Sequence, residues 1–226
     1  MVFVKLALSI VMSALLLAAE GSFDYSKVQQ DVFAGLLGGN VEALQRAIDA
    51  CETALAANPR NSDALVWHGI AMIAQTRQHP EQRAALITQG FAEMDRAAAM
   101  EPDDLGVRIP RGAVSMSMAR TMPESQMRQE LLERGRVDFQ YAFDMQTKAK
   151  QLDKIGTHPL GELLQGLGDV YSRLGKPDEA RKYYQMLMTK LPDTQYAARA
   201  AQWMMTSQPL PQEQTGCIGC HTAPKR

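Results

Sequence analysis

The sequence is short of the residues that would place it in several common classes. It has 3 cysteines, too few for the disulfide lattice of a small secreted scaffold. Aromatic residues make up 6%, which disfavours a sheet-rich fold. Neither sign of charge dominates. Lys and Arg number 24 against 25 Asp and Glu, a net charge of -1, so no bulk positive field exists to hold nucleic acid. No strand-like alternation persists, and no apolar run reaches the roughly 20 residues of a membrane helix. A phosphate-binding glycine loop, a two-histidine zinc helix and a nucleophile elbow are all missing. With no visible constellation of acid, base and nucleophile, the chain does not read as an enzyme.

What is present is the composition of a helical protein. Hydrophobic residues make up 46% of 226 and charged ones 22%, enough to bury a core in one domain or two small ones. Ala, Leu, Gln and 14 Met favour helix. The N-terminus reads as a signal peptide over residues 1–21. Lys5 is the only charge before Glu20, and Leu6 to Ala19 form a short apolar core ending in small residues. An uncleaved N-terminal anchor is the alternative. Either way the rest is expected to be exported, in the periplasm of a bacterium, with no stable membrane span after cleavage.

From Tyr25 to Gln208 the apolar residues recur at three and four, as in Val41, Leu44, Ile48, Cys51 and Leu55. Punctuation falls at Gly38-Gly39, Asn58-Pro59, His79-Pro80, Glu101-Pro102, Met122-Pro123, His158-Pro159, Gly175 and Pro192. This predicts four helical pairs and a final helix from Gln195 to Thr206. A kinked helix is expected near Leu105 to Ala119, around Pro110. A long one is expected from about Glu124 to Gln151.

One segment repeats a known pattern. Residues 161–194 contain Leu164, Leu167-Gly168, Tyr171, Gly175, Glu179-Ala180, Tyr184, Leu187 and Pro192. Small Gly168 and Ala180 suit a close helix crossing, and Tyr171 and Tyr184 fill the space around it. Gly175 accepts the left-handed conformation that closes a helix, and Pro192 stops the next one. This segment resembles a tetratricopeptide repeat, with Leu164 where that family often has Trp and Leu187 where it often has Ala. Weaker copies surround Ala47, Cys51, Ala54 and Pro59, then Leu65, Gly69 and Met72, then Gly90, Met94, Ala97 and Pro102. The resemblance implies an all-α solenoid of helical hairpins over residues 22–206. Its concave face would bind another protein or a peptide.

The composition changes after Ser207, and residues 207–226 read as an extended linker and tail. The tail holds Cys217-Ile-Gly-Cys220-His221, the attachment signature of a c-type haem. Two thiols at this spacing add to the two vinyl groups of one porphyrin, and the adjoining imidazole supplies an axial nitrogen to the iron. Cys217 and Cys220 are therefore the candidate thioether residues, and His221 the candidate iron ligand. A short disulfide or thiol pair, another metal, or no role at all remain open for the same residues. The resemblance to c-type cytochromes is confined to these five positions, with only five residues after them. His158, His79, Met204 and Met205 are the candidates for a second axial ligand. Each has a plainer reading: His158 as a cap, His79 as a loop residue, the two methionines as core filler. Arg108 and Arg111 flank Pro110 and read as a solvated first turn with local ion pairs; holding a carboxylate in a groove is the sharper alternative. Arg128 to Arg136 reads as an exposed mixed-charge face. The resulting expectation is an exported scaffold with one covalent haem on its tail and a redox partner. A haem-free scaffold is the alternative.

Overall fold

In a computed structural model of the protein, residues 23–211 are described. The expected signal peptide at 1–21 and the residues Cys217, Cys220 and His221 lie outside them. Among the described residues the chain is all helical, with no strand. The helices are α1 (Tyr25–Gly38), α2 (Val41–Ala57), α3 (Ser62–Gln75), α4 (Arg83–Met100), α5 (Leu105–Thr121), α6 (Gln126–Lys148), α7 (Thr157–Arg173), α8 (Pro177–Lys190) and α9 (Gln195–Thr206).

Local chemistry sets most of these boundaries. Asp24, Asn40, Asn61, Asp104, Ser125 and Thr194 are N-caps whose side-chain oxygens accept a first-turn backbone N–H. Each such cap is worth about 1 kcal/mol. The α7–α8 turn shows why glycine is needed there. Gly175 has φ +69°. Its N–H bonds the Ser172 carbonyl, and the Lys176 N–H bonds the Tyr171 carbonyl, a Schellman closure. α5 runs on through Pro110. The proline removes one backbone bond, to the carbonyl of Gly106 four residues before it.

Consecutive helices pack most tightly as the pairs α1/α2, α3/α4, α5/α6 and α7/α8, and α9 packs on α8. The odd-numbered helices also touch one another along the row α1–α3–α5–α7–α9. Paired glycines explain how close the hairpins come. A Cβ on Gly69 would lie 2.4 Å from the Gly90 carbonyl oxygen, and one on Gly90 would lie 2.5 Å from that of Gly69. In α7/α8 the aromatic ring of Tyr184 lies against Gly168, where an added Cβ would be 2.8 Å away. Tyr184 is fully buried and stacks on Trp203 of α9 at 4.7 Å. Tyr171 instead stacks on Tyr183, and both hydroxyls donate to Gln140 Oε1 of α6. The α7/α8 crossing thus has the small-against-large packing expected for Gly168, Ala180 and Tyr184.

A buried ion pair joins α5 to α6, and a part-exposed one links that hairpin to α4. Asp138 of α6 is fully buried and accepts from both Arg108 and Arg111 of α5. Asp95 of α4 takes a second bond from Arg111 and one from Arg134 of α6. Arg108 and Arg111 were expected in a solvated turn; their side chains are only 14% and 13% exposed. They hold a carboxylate, but an internal one. The expected exposed face at Arg128 to Arg136 is also half inward, since Leu131, Leu132 and Gly135 are buried. Gly135 is needed there because an added Cβ would meet Met116 at 2.4 Å.

Candidate functional site

The odd-numbered helices leave a pocket of about 770 Å³, part of it open to solvent. Leu36 of α1, Ile70 and Ile73 of α3, Val114 and Met118 of α5, and Phe139 of α6 give it apolar walls. Gly166 of α7 completes the wall; a Cβ there would stand 3.0 Å from the Phe139 ring. The enclosed part of the pocket is about 130 Å³, close to that of a cavity that holds a benzene-sized group, so a larger ligand would lie partly in the open mouth.

The polar side of the pocket is built by Ser117 and Arg120 of α5 and by Glu162 and Gln165 of α7, the latter two at the pocket end of a polar stripe. Glu162, Gln165, Asp169 and Arg173 follow one another at helical spacing and share a face. Asp169 is fully buried. It accepts from Arg120 Nε of α5 at 2.8 Å and from Arg173 Nε at 2.9 Å. Two guanidinium groups thus share one carboxylate, which leaves a net positive charge. Arg120 lines the pocket with its side chain only 6% exposed, so water screens it weakly. Glu162 and Gln165 also line the pocket. Glu162 accepts from the Tyr196 hydroxyl at 2.8 Å. Gln165 is 1% exposed; its Oε1 faces Arg199 at 3.4 Å, and its buried Nε2 has no hydrogen-bond partner.

The chain past α9 does not leave the body at once. Ser207 turns in the left-handed region at φ 52°, and Leu210 is 2% exposed. The Leu210 carbonyl accepts from Arg173 Nη2 at 2.7 Å. Residues 208–216 were expected to form one extended linker. Its first part is instead pinned to α7, beside the ion pair that reaches the pocket. Only residues 212–216 separate the last described residue from Cys217.

The four expected second ligands are not brought together, and none of them lines the pocket. His158 sits inside the first turn of α7, whose N-cap is Gly156, so it is not the cap. Its Nδ1 lies 2.8 Å from the Tyr196 hydroxyl. His79 precedes a single 3-10 turn at Pro80–Gln82 and faces Glu81 at 3.5 Å. Met204 packs against the core, with Arg181 3.9 Å from its sulfur. Met205 is 80% exposed and is not core filler. Cys51 is buried, and burial pushes its thiol up to about 12, which makes it an inert core residue. Among the described residues no group of three or more His, Cys, Asp or Glu is placed to hold a metal. No described helix is long and apolar enough to cross a membrane.

The pocket and its Arg120–Asp169–Arg173 cluster escaped the sequence reading. The available signal was a polar stripe through α7, a helix otherwise rich in Leu and Gly. No protein-family model, curated protein or solved structure matches this chain.

Proposed function

We propose that the protein is an exported, tetratricopeptide-like scaffold that carries one covalent c-type haem on its C-terminal tail. The observation that carries this reading is Cys217-Ile-Gly-Cys220-His221, in which the two thiols form thioethers and His221 ligates the iron. The apolar N-terminal segment supports export, which attachment of this kind requires. The tight Gly168–Tyr184 packing and the Gly175 closure support the tetratricopeptide reading of residues 161–194. In that reading the odd-numbered helices form the concave face of a solenoid, which recruits a partner protein or peptide. The haem would supply one-electron transfer. The body supplies binding and position, not acid–base chemistry.

The described residues fit such a group in one respect. The pocket offers apolar walls beside a weakly screened arginine, as an amphipathic macrocycle with carboxylate arms requires. The test is a mass spectrum of the mature chain, purified from a host that matures c-type cytochromes. The expected mass is raised by one haem, and the increase disappears in Cys217→Ala/Cys220→Ala. An unmodified mass, despite confirmed export, overturns the haem reading and leaves a haem-free scaffold with a tail disulfide or unused thiols.

A further inference from the structure

We propose that the pocket between α5 and α7 is the docking site for this chain's own tail haem. The inference rests on the haem reading above and adds where the haem sits. Three observations carry it.

The first is where the described chain stops. Leu210 is buried, and Arg173 holds its carbonyl at 2.7 Å. Arg173 shares Asp169 with Arg120, and Arg120 lines the pocket. The tail therefore starts two guanidinium groups and one carboxylate away from the pocket. The second is length. Residues 212–216 precede Cys217, and at ~3.4 Å per residue this span reaches at most about 20 Å. That is enough to enter a pocket next to Arg120 and too little to roam far from it. Tethering at this range raises the effective concentration of the group to the order of millimolar.

The third is chemical fit. Residues 212–221 contain one large apolar side chain, Ile218, so the peptide alone matches the apolar walls poorly. The porphyrin face matches them well, and leaving it in water would forfeit its burial. Its propionates are carboxylates; of the charged groups that line the pocket, Arg120 can receive them, whereas Glu162, which accepts from Tyr196, would have to lie away from them. A carboxylate against a weakly screened guanidinium gains a charge-assisted bond.

The test uses the full-length protein from a c-type-competent host, with its methionine methyl groups ¹³C-labelled. Ferric haem is paramagnetic and broadens nearby methyl signals; the ferrous carbon monoxide form is diamagnetic. Met118 lines the pocket, whereas Met188 is exposed on α8. The expected result is a one-haem mass, with the Met118 signal lost in the ferric form and recovered in the ferrous form. Met188 stays sharp in both. In Ala113→Trp, which fills the pocket, the Met118 signal persists in the ferric form. Should that variant misfold, the wild-type comparison still decides. A one-haem mass with Met118 sharp in the ferric form overturns the docking and leaves the haem reading standing. An unmodified mass overturns the haem reading and the docking with it.

Discussion

Replacing Gly90 with alanine tests the close backbone contact between α3 and α4. Two effects oppose each other. Alanine is the better helix former by about 0.8–1 kcal/mol. Its Cβ, however, would lie 2.5 Å from the Gly69 carbonyl oxygen and 2.9 Å from Ile73 Cγ1. The first neighbour is backbone and cannot rotate away, so α3 and α4 must separate. Forcing an extra carbon into a packed crossing costs about 1–3 kcal/mol and occasionally more. The steric term wins, and the net loss should be about 1–2 kcal/mol after the propensity gain. Gly38→Ala is the matched control. Gly38 is helical and exposed, and nothing lies within 4 Å of its added Cβ. That variant should be neutral or gain up to about 1 kcal/mol. Urea unfolding followed by far-UV circular dichroism reads both, as the shift in midpoint at unchanged slope. The double variant Gly69→Ala/Gly90→Ala should cost less than the two single losses together, because the first substitution has already opened the crossing. A Gly90→Ala midpoint that rises as in Gly38→Ala would refute the close crossing.

Two further outcomes follow from the buried carboxylates. Asp138→Ala strands Arg108 without its carboxylate, leaves Arg111 with only the part-exposed Asp95, and should cost about 3–5 kcal/mol in the same urea assay; a loss under about 1 kcal/mol, the range of a surface pair, would contradict the burial of that pair. Asp31 is held below the usual carboxylate range, first by its hydrogen bond from Arg46 and then by Lys27. A depressed folded-state value means this stabilisation is complete above the unfolded value, about pH 4, and is lost as the pH falls through the lower folded value. The stability gap between wild type and Asp31→Asn should therefore be constant from about pH 5 to 7 and close below about pH 4. A gap that persists unchanged at pH 2 would show that the ion pair is not its source.

What could be read from the chain alone was what acts over a few residues. The final helix was expected at Gln195 to Thr206, and α9 has those bounds. A cap such as Thr194 bonds a backbone N–H three residues on, and Gly175 closes α7 through neighbours within four. Both are written in contiguous sequence. The Gly168–Tyr184 packing was legible because it recurs at a fixed spacing in a pattern met before. The Cys217–His221 motif was visible because its five positions are contiguous, whichever of its possible chemistries it serves. The partners of the charges were not legible. Asp138 finds Arg111 across 27 residues, and Asp169 finds Arg120 across 49. Arg108 and Arg111 looked solvated because charge on a helix usually is; only the packing of α6 against α5 buries them. Nor does composition reveal that Leu210 turns back onto Arg173, since a polar, proline-bearing stretch reads as a free linker wherever it lies. The sequence determined which segments are helices and supplied the motif on which the haem proposal rests. The tertiary structure decided which faces meet, because a buried charge or an apolar pocket exists only once distant helices exclude water together.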